Sequence, residues 1–330
     1  MGLHIQKIVK LLEQEFSTSE MDSLLDKFIK KTSFCSKWVL YSDYCLDDKN
    51  KPNDVISFVL VPYLSTQFYV EMDKSISETQ PNDIKKSKSV DSAFIKYLKG
   101  QPILSFNFIV NERKFLFGDS HAERVGNVAK IIKEIKEQVE TWRCRAIEES
   151  IVDYYDSIIK KLNKILMGLS QKANIKMHME ILLVTIIGAY YSAMILKRLP
   201  DIDLFGWLSD RDAIKASCDE MAAPIFHVLL YNHLNGRQFH LINMKSDTKI
   251  PLFYENYNRI PDVICGALAD YNMENDVVSK DKFSKVLQDL IADNAMVKIY
   301  RLSVVEGVPH LGIIKISTSP FDGKPENKIL

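Results

Sequence analysis

Lys37-Trp-Val-Leu-Tyr-Ser-Asp-Tyr44 and Val55-Ile-Ser-Phe-Val-Leu-Val61, separated by the turn-forming Asp47-Asp-Lys-Asn-Lys-Pro-Asn-Asp54, decide the fold class. Both runs are rich in β-branched and aromatic residues and are bounded by Asp, Asn and Pro, so they read as two strands joined by a short connection. A third run, Gln67-Phe-Tyr-Val-Glu-Met72, follows closely. The spacing predicts an antiparallel three-strand meander.

Working outward, residues 3–31 read as two short amphipathic helices, one face marked by Ile5, Ile8, Leu12 and Phe16, the next by Met21, Leu24, Leu25 and Phe28. Residues 73–90 are polar and lysine-rich and read as a mobile loop. A short helix near 91–99 and strands at 103–110 and 114–117 come next. Between 122 and 169, Val125, Val128, Ile132, Ile135, Val139 and Trp142 recur in steps of three and four. After a phase shift near Arg143–Ala146 the spacing resumes at Ile147, Ile151, Tyr154, Ile158, Leu162, Ile165 and Leu169. That pattern predicts one long helix or a helical hairpin packing as an arm. Helices at about 175–199, 212–234, from Pro261, and at 281–293 alternate with strands at 203–208 and 238–244. Val297–Val305 and His310–Ser317 read as a hairpin. The organisation expected is therefore N-terminal helices over 1–34, a first part of an α/β core over 35–120, a helical insertion over 121–173, a second part of the core over 174–295, and a C-terminal hairpin and tail over 296–330.

The 330 residues are 46% hydrophobic and 26% charged, which suits a folded chain with a full core. Lys plus Arg and Asp plus Glu balance at 43 each, which argues against tight non-specific nucleic-acid binding by a global field. Locally, residues 122–200 carry 13 basic against 9 acidic side chains, and residues 201–295 carry 9 against 15. Five cysteines with no Cys-x-x-Cys pair suggest reduced thiols and a cytoplasmic protein. The N-terminal segment lacks the form of a signal peptide. Ile181–Leu196 is sixteen residues long, short of the roughly 20 needed to span a bilayer, so it reads as a buried core helix and no membrane partner is expected.

Four acids stand where this order of elements can bring them together: Asp43 near the end of the first strand, Glu180 in the opening turns of the apolar helix, Asp210 after the Leu204–Leu208 strand, and Asp262 at the start of the helix that follows Pro261. Tyr41-Ser-Asp43-Tyr-Cys-Leu46, Met179-Glu180-Ile-Leu-Leu-Val-Thr-Ile186, Leu208-Ser-Asp210-Arg-Asp-Ala-Ile214 and Asn258-Arg-Ile-Pro-Asp262-Val-Ile-Cys-Gly-Ala-Leu268 together resemble the ribonuclease H-like superfamily in motif order. The resemblance covers four patches of about 110 residues. It implies an α/β fold with a mixed sheet, an antiparallel meander, flanking helices and here a long helical insertion. It also implies a metal-dependent nuclease whose Asp43, Glu180, Asp210 and Asp262 bind Mg²⁺ or Mn²⁺ and act on nucleic acid. Asp212 and Asp270 are the substitutes should the register differ by a turn. The chain departs from the family in the hundred residues ahead of Glu180, in Tyr44, and in having no His between His240 and Asp262.

Each acid also has a plain structural role. Asp43 can close a strand before a turn, Glu180 can favour a helix start, Asp210 and Asp212 can cap, and Asp262 after Pro261 suits a first helical turn. A catalytically inactive module of the same fold, used for binding or assembly, is the alternative, with self-association through helices 122–169. His227, His233 and His240 share no face, so zinc is not expected. Lys85, Lys86 and Lys88 form a basic run, read either as a solvated loop or as a phosphate contact.

Overall fold

A computed structural model describes residues 3–169, 174–209, 220–235, 237, 239–243 and 254–318. In chain order the elements are α1 (Leu3–Phe16), α2 (Ser19–Thr32), β1 (Lys37–Cys45), β2 (Val55–Pro62), α3 (Thr66–Thr79), α4 (Ser92–Lys99), β3 (Leu104–Ile109), α5 (His121–Arg143), α6 (Glu149–Gly168) and α7 (Ile175–Leu196). Then come β4 (Leu204–Ser209), α8 (Ala222–His233), β5 (His240–Asn243), α9 (Arg259–Asp270), α10 (Asp281–Val286), β6 (Val297–Val305) and β7 (Val308–Ile314). The protein is α/β, with seven strands in one mixed sheet of order β5-β4-β1-β2-β3-β6-β7. β2 lies between β1 and β3 and is antiparallel to both, β4 runs parallel to β1, and β5 parallel to β4. β6 joins β3 in parallel and turns back into β7, so the C-terminal hairpin extends the sheet.

The uninterrupted apolar run of β2 has a direct cause: every residue from Val55 to Pro62 is buried. Ile56, Phe58 and Leu60 pack on one face with α1, α2, α5, α7 and α8, whereas Val55, Val59 and Val61 pack on the other with α3, α4, α9 and α10. A strand covered on both faces has no polar side to alternate with. α7 is the apolar helix of the sequence, and 89% of its most apolar 18-residue window is buried inside the protein, as in the core helix of a soluble domain.

The structure corrects two expected strands. Gln67–Met72 is not the third strand but part of α3, because Ser65 caps the Phe68 N–H at 3.0 Å and Met72 and Ile76, one turn apart, bury together. A strand would have buried Val70, which is 56% exposed. The third strand of the meander is β3, reached through α3 and α4. Lys114–Phe117 is likewise no strand: a 3₁₀ turn covers Arg113–Leu116. Residues 122–169 form a helical hairpin that breaks at the phase shift. The hairpin is one of the two forms expected, and Val128, Ile131, Ile132, Ile135 and Val139 of α5 are buried in the α7-side core.

α9 is pinned across the ends of β1 and β2 by the Asn53 side chain, which donates to the Leu268 carbonyl at 2.9 Å and the Tyr271 carbonyl at 2.7 Å. Gly266 on α9 lets the chain at Ile84 cross close to the helix, because a Cβ there would lie 2.8 Å from Ile84 Cγ2. Gly266→Ala is expected to lower stability by about 1–3 kcal/mol through overpacking. Urea denaturation measures this, and an unchanged midpoint would contradict the close packing of Ile84 on α9.

Candidate active site

β1 and β4 lie side by side in parallel, and their ladder ends with Ser42 opposite Ser209. Asp43 is the next residue of β1. Asp210 and Asp212 lie outside the described residues. Side chains alternate along β1: Trp38 and Leu40 enter the α7-side core, and Val39, Tyr41 and Cys45 the α9-side core. Asp43 therefore belongs to the α9 side. There it stands opposite Ser57 of β2.

Cys265 of α9 marks the centre of this seam. Its thiol donates to the Val55 carbonyl at 3.7 Å, and burial raises its pKa far above that of an ordinary thiol, with the negative charges of Asp43 and Asp262 adding to the shift. The Val55 carbonyl that this thiol meets lies opposite Cys45, the last residue of β1. Asp262 is 9% exposed and one of its oxygens accepts the Ile84 N–H at 2.6 Å. Burial pushes its carboxyl up to about 6; the Ile84 hydrogen bond opposes that rise and the neighbouring Asp83 adds to it.

Glu180 sits on the opposite face. Its helix, α7, packs against the side that Trp38 and Leu40 enter, and its own partners come from the β1–β2 connection and the turn after β3. Arg113, 5% exposed, forms ion pairs with Asp47 and Asp54 from the β1–β2 connection and lies 3.7 Å from Glu180, while Lys176 reaches Asp47 at 2.9 Å. Burial, then a hydrogen bond with Asp47 and its charge, push Glu180 up to about 7. Asp47 is held down to about 2 although burial opposes it, by its bonds to Glu180 and Lys176 and by the Arg113 charge. The two carboxyls share a site in which one is ionised and the other carries the proton.

The four acids expected to converge are therefore divided. Asp43 and Asp262 share the α9 side, Glu180 is committed to Arg113 and Asp47 across the sheet, and Asp210 falls outside the description. Among the described residues no group of three or more His, Cys, Asp and Glu side chains is arranged to hold a metal ion. Asp43 and Asp262 suit a hard cation by chemistry. Glu180 lies 3.7 Å from the Arg113 guanidinium, and its Oε1 is buried with no hydrogen-bond partner among the described residues. Asp270, the substitute on α9, pairs with Lys51 and accepts both the Ser279 N–H at 2.6 Å and the Ser279 hydroxyl at 2.7 Å, a structural arrangement. His227 bonds Tyr154 at 3.0 Å, and burial lowers both His227 and His233 to about 4, leaving them neutral.

Sequence reading missed Asp47, Asp54, Arg113 and Lys176. Asp47 and Asp54 bracket the β1–β2 turn and Arg113 follows the third strand closely; a conserved-looking motif is not needed to join them, only the meander. No family model matches the chain, and neither a curated protein nor a solved structure matches it.

The raised Glu180 pKa has a defined consequence for stability. Its folded-state value of about 7 exceeds the ordinary 4.5, so its contribution is fully present below about pH 4.5 and is lost as pH rises through about 7. Asp47, depressed from 3.8 to about 2, acts only at lower pH. Glu180→Gln is expected to flatten the decline in melting temperature between pH 4.5 and 8 relative to wild type. Parallel melting curves across that range would show that Glu180 does not hold a proton in the fold.

Proposed function

We propose that this chain is a ribonuclease H-like, metal-dependent nuclease whose working edge is the end of β1 and β4. The observation that carries the reading is the strand order β5-β4-β1-β2-β3, with an antiparallel meander and β4 parallel to β1, closing on the pair Ser42 and Ser209. The next residue after each is an aspartate, Asp43 and Asp210. An acid near the end of the first strand and another after the central strand are what the resemblance implies. Asp43 and Asp210 would hold Mg²⁺ or Mn²⁺, with Asp262 beside them. A bound divalent ion supplies an activated water and stabilises the leaving oxygen of a phosphodiester. Asp262, protonated more readily than an ordinary carboxyl, would then be ionised by the cation's charge. Glu180 in this reading is a positioning residue: through Asp47 and Arg113 it ties α7 to the β1–β2 connection, and it takes no part in binding the ion.

A second reading, an inactive module of the same fold serving binding or assembly, is favoured by the commitment of Glu180 to Arg113 and of Asp262 to the Ile84 N–H. Labelled single-stranded RNA, single-stranded DNA and hybrid duplex incubated with Mn²⁺ distinguish the two. The nuclease reading expects cleavage that Asp43→Asn and Asp210→Asn reduce at least about a hundredfold, on the scale of losing a charged group that stabilises the transition state. Glu180→Gln should retain most of the activity. Equal cleavage by wild type and Asp43→Asn, or none by wild type, would leave the inactive module.

A further inference from the structure

Of residues 73–90, which read from sequence as a mobile loop, the first seven are the end of α3, and residues 81–90, between α3 and α4, hold the lysine run. The structure corrects that expectation, because the segment is fastened from several sides. Ile84 and Val90 are buried in the α9-side core. Asp262 accepts the Ile84 N–H, Arg259 pairs with Asp83, and Gln80 donates to the Asn82 carbonyl at 2.8 Å and the Ser87 hydroxyl at 2.9 Å. Lys282 of α10 is only 6% exposed, and its ammonium group donates to the carbonyls of Ile84 and Ser87.

Burying a lysine ammonium group is costly unless its protons are taken up by acceptors. A plain linker between two surface helices needs no such anchor. Lys85, Lys86 and Lys88 are all exposed on this anchored segment, and Lys86 also pairs with Asp83 at 3.4 Å. Lys85 directly follows Ile84, whose N–H rests on the Asp262 carboxylate at 2.6 Å. The lysine run therefore begins one residue from the Ile84–Asp262 contact.

We infer that the 81–90 loop is a rigid phosphate-binding wall next to that contact, and that it takes the backbone of a polynucleotide. This rests on the nuclease reading and names its substrate class. Three ammonium groups within four residues suit consecutive phosphates of a polymer, where a mononucleotide would need one such site. In a chain whose charges balance, such a local patch is what can attract a polyanion.

The test is fluorescence anisotropy of a labelled single-stranded oligonucleotide with the full chain in EDTA across a salt series. K85A/K86A/K88A should weaken binding at least about tenfold at low salt and reduce the log–log salt slope by about 2, from roughly 0.7 per phosphate contact. Lys282→Met, which keeps all three lysines but frees the loop, should weaken binding by a smaller factor. Wild-type affinity and slope in the triple variant, no binding by wild type, or competition by a mononucleotide as strong as by the oligomer would each overturn the inference. Because binding is read without metal, the two readings separate. Binding lost in the triple variant while wild type never cleaves with Mn²⁺ rejects the nuclease reading alone. Cleavage with unchanged KM in the triple variant rejects the loop's role alone.

Discussion

Pairing β1 with β4 on one side and β2 on the other places the two most apolar strands at the centre of the sheet, and the rest of the molecule follows from covering them. Most of both strands is buried, with Lys37 exposed and Asp43 and Tyr44 half-buried near the end of β1, so helices close both sides. α7 meets one face as the most apolar helix of the chain, and α9 meets the other, held over the ends of β1 and β2 by Asn53. The strict two-residue period of β1 then distributes chemistry as well as packing. Asp43 goes to the α9 side, while Ser42 goes the other way and takes the Trp207 indole N–H at 3.0 Å. A slip of one residue would exchange those faces and place a carboxylate against the α7 core.

Buried charge is handled differently on the two sides. On the α7 side Arg113 offers a planar guanidinium to three carboxyl groups drawn from a turn and a helix, so one fixed cation organises Asp47, Asp54 and Glu180. On the α9 side the buried cation is Lys282, and its acceptors are backbone carbonyls. The first arrangement joins α7 to the β1–β2 connection; the second fixes a loop. Removing one member of either set would leave the others buried without compensation, which is why such groups are strongly destabilising to break.

Much of the architecture was legible in the residues themselves. The apolar runs of β1 and β2, the three-four spacing of α5 and α6 with its break near Arg143, and the uniformly apolar α7 each carry a period that only one element type satisfies. The failures are equally physical. Phe68, Val70 and Met72 alternate as a strand would, yet the Ser65 cap and the one-turn spacing of Met72 and Ile76 favour a helix, and local alternation over so few residues cannot tell the two apart. The 81–90 segment reads as mobile because polar composition says nothing of Lys282, Asp262 and Arg259, which reach it from about 175 to 200 positions along the chain.

The candidate site divides along the same line. The sequence by itself determined which side chains are acidic, that Asp43 ends a strand, and that Glu180 and Asp262 lie in the early turns of helices, since these are local properties of spacing and capping. Only the tertiary structure decided that Asp262 comes to the Asp43 side and Glu180 to the Arg113 side. Side-chain convergence depends on which face of the sheet each helix covers, and that choice is made by long-range packing of whole helices, which no short stretch of residues encodes.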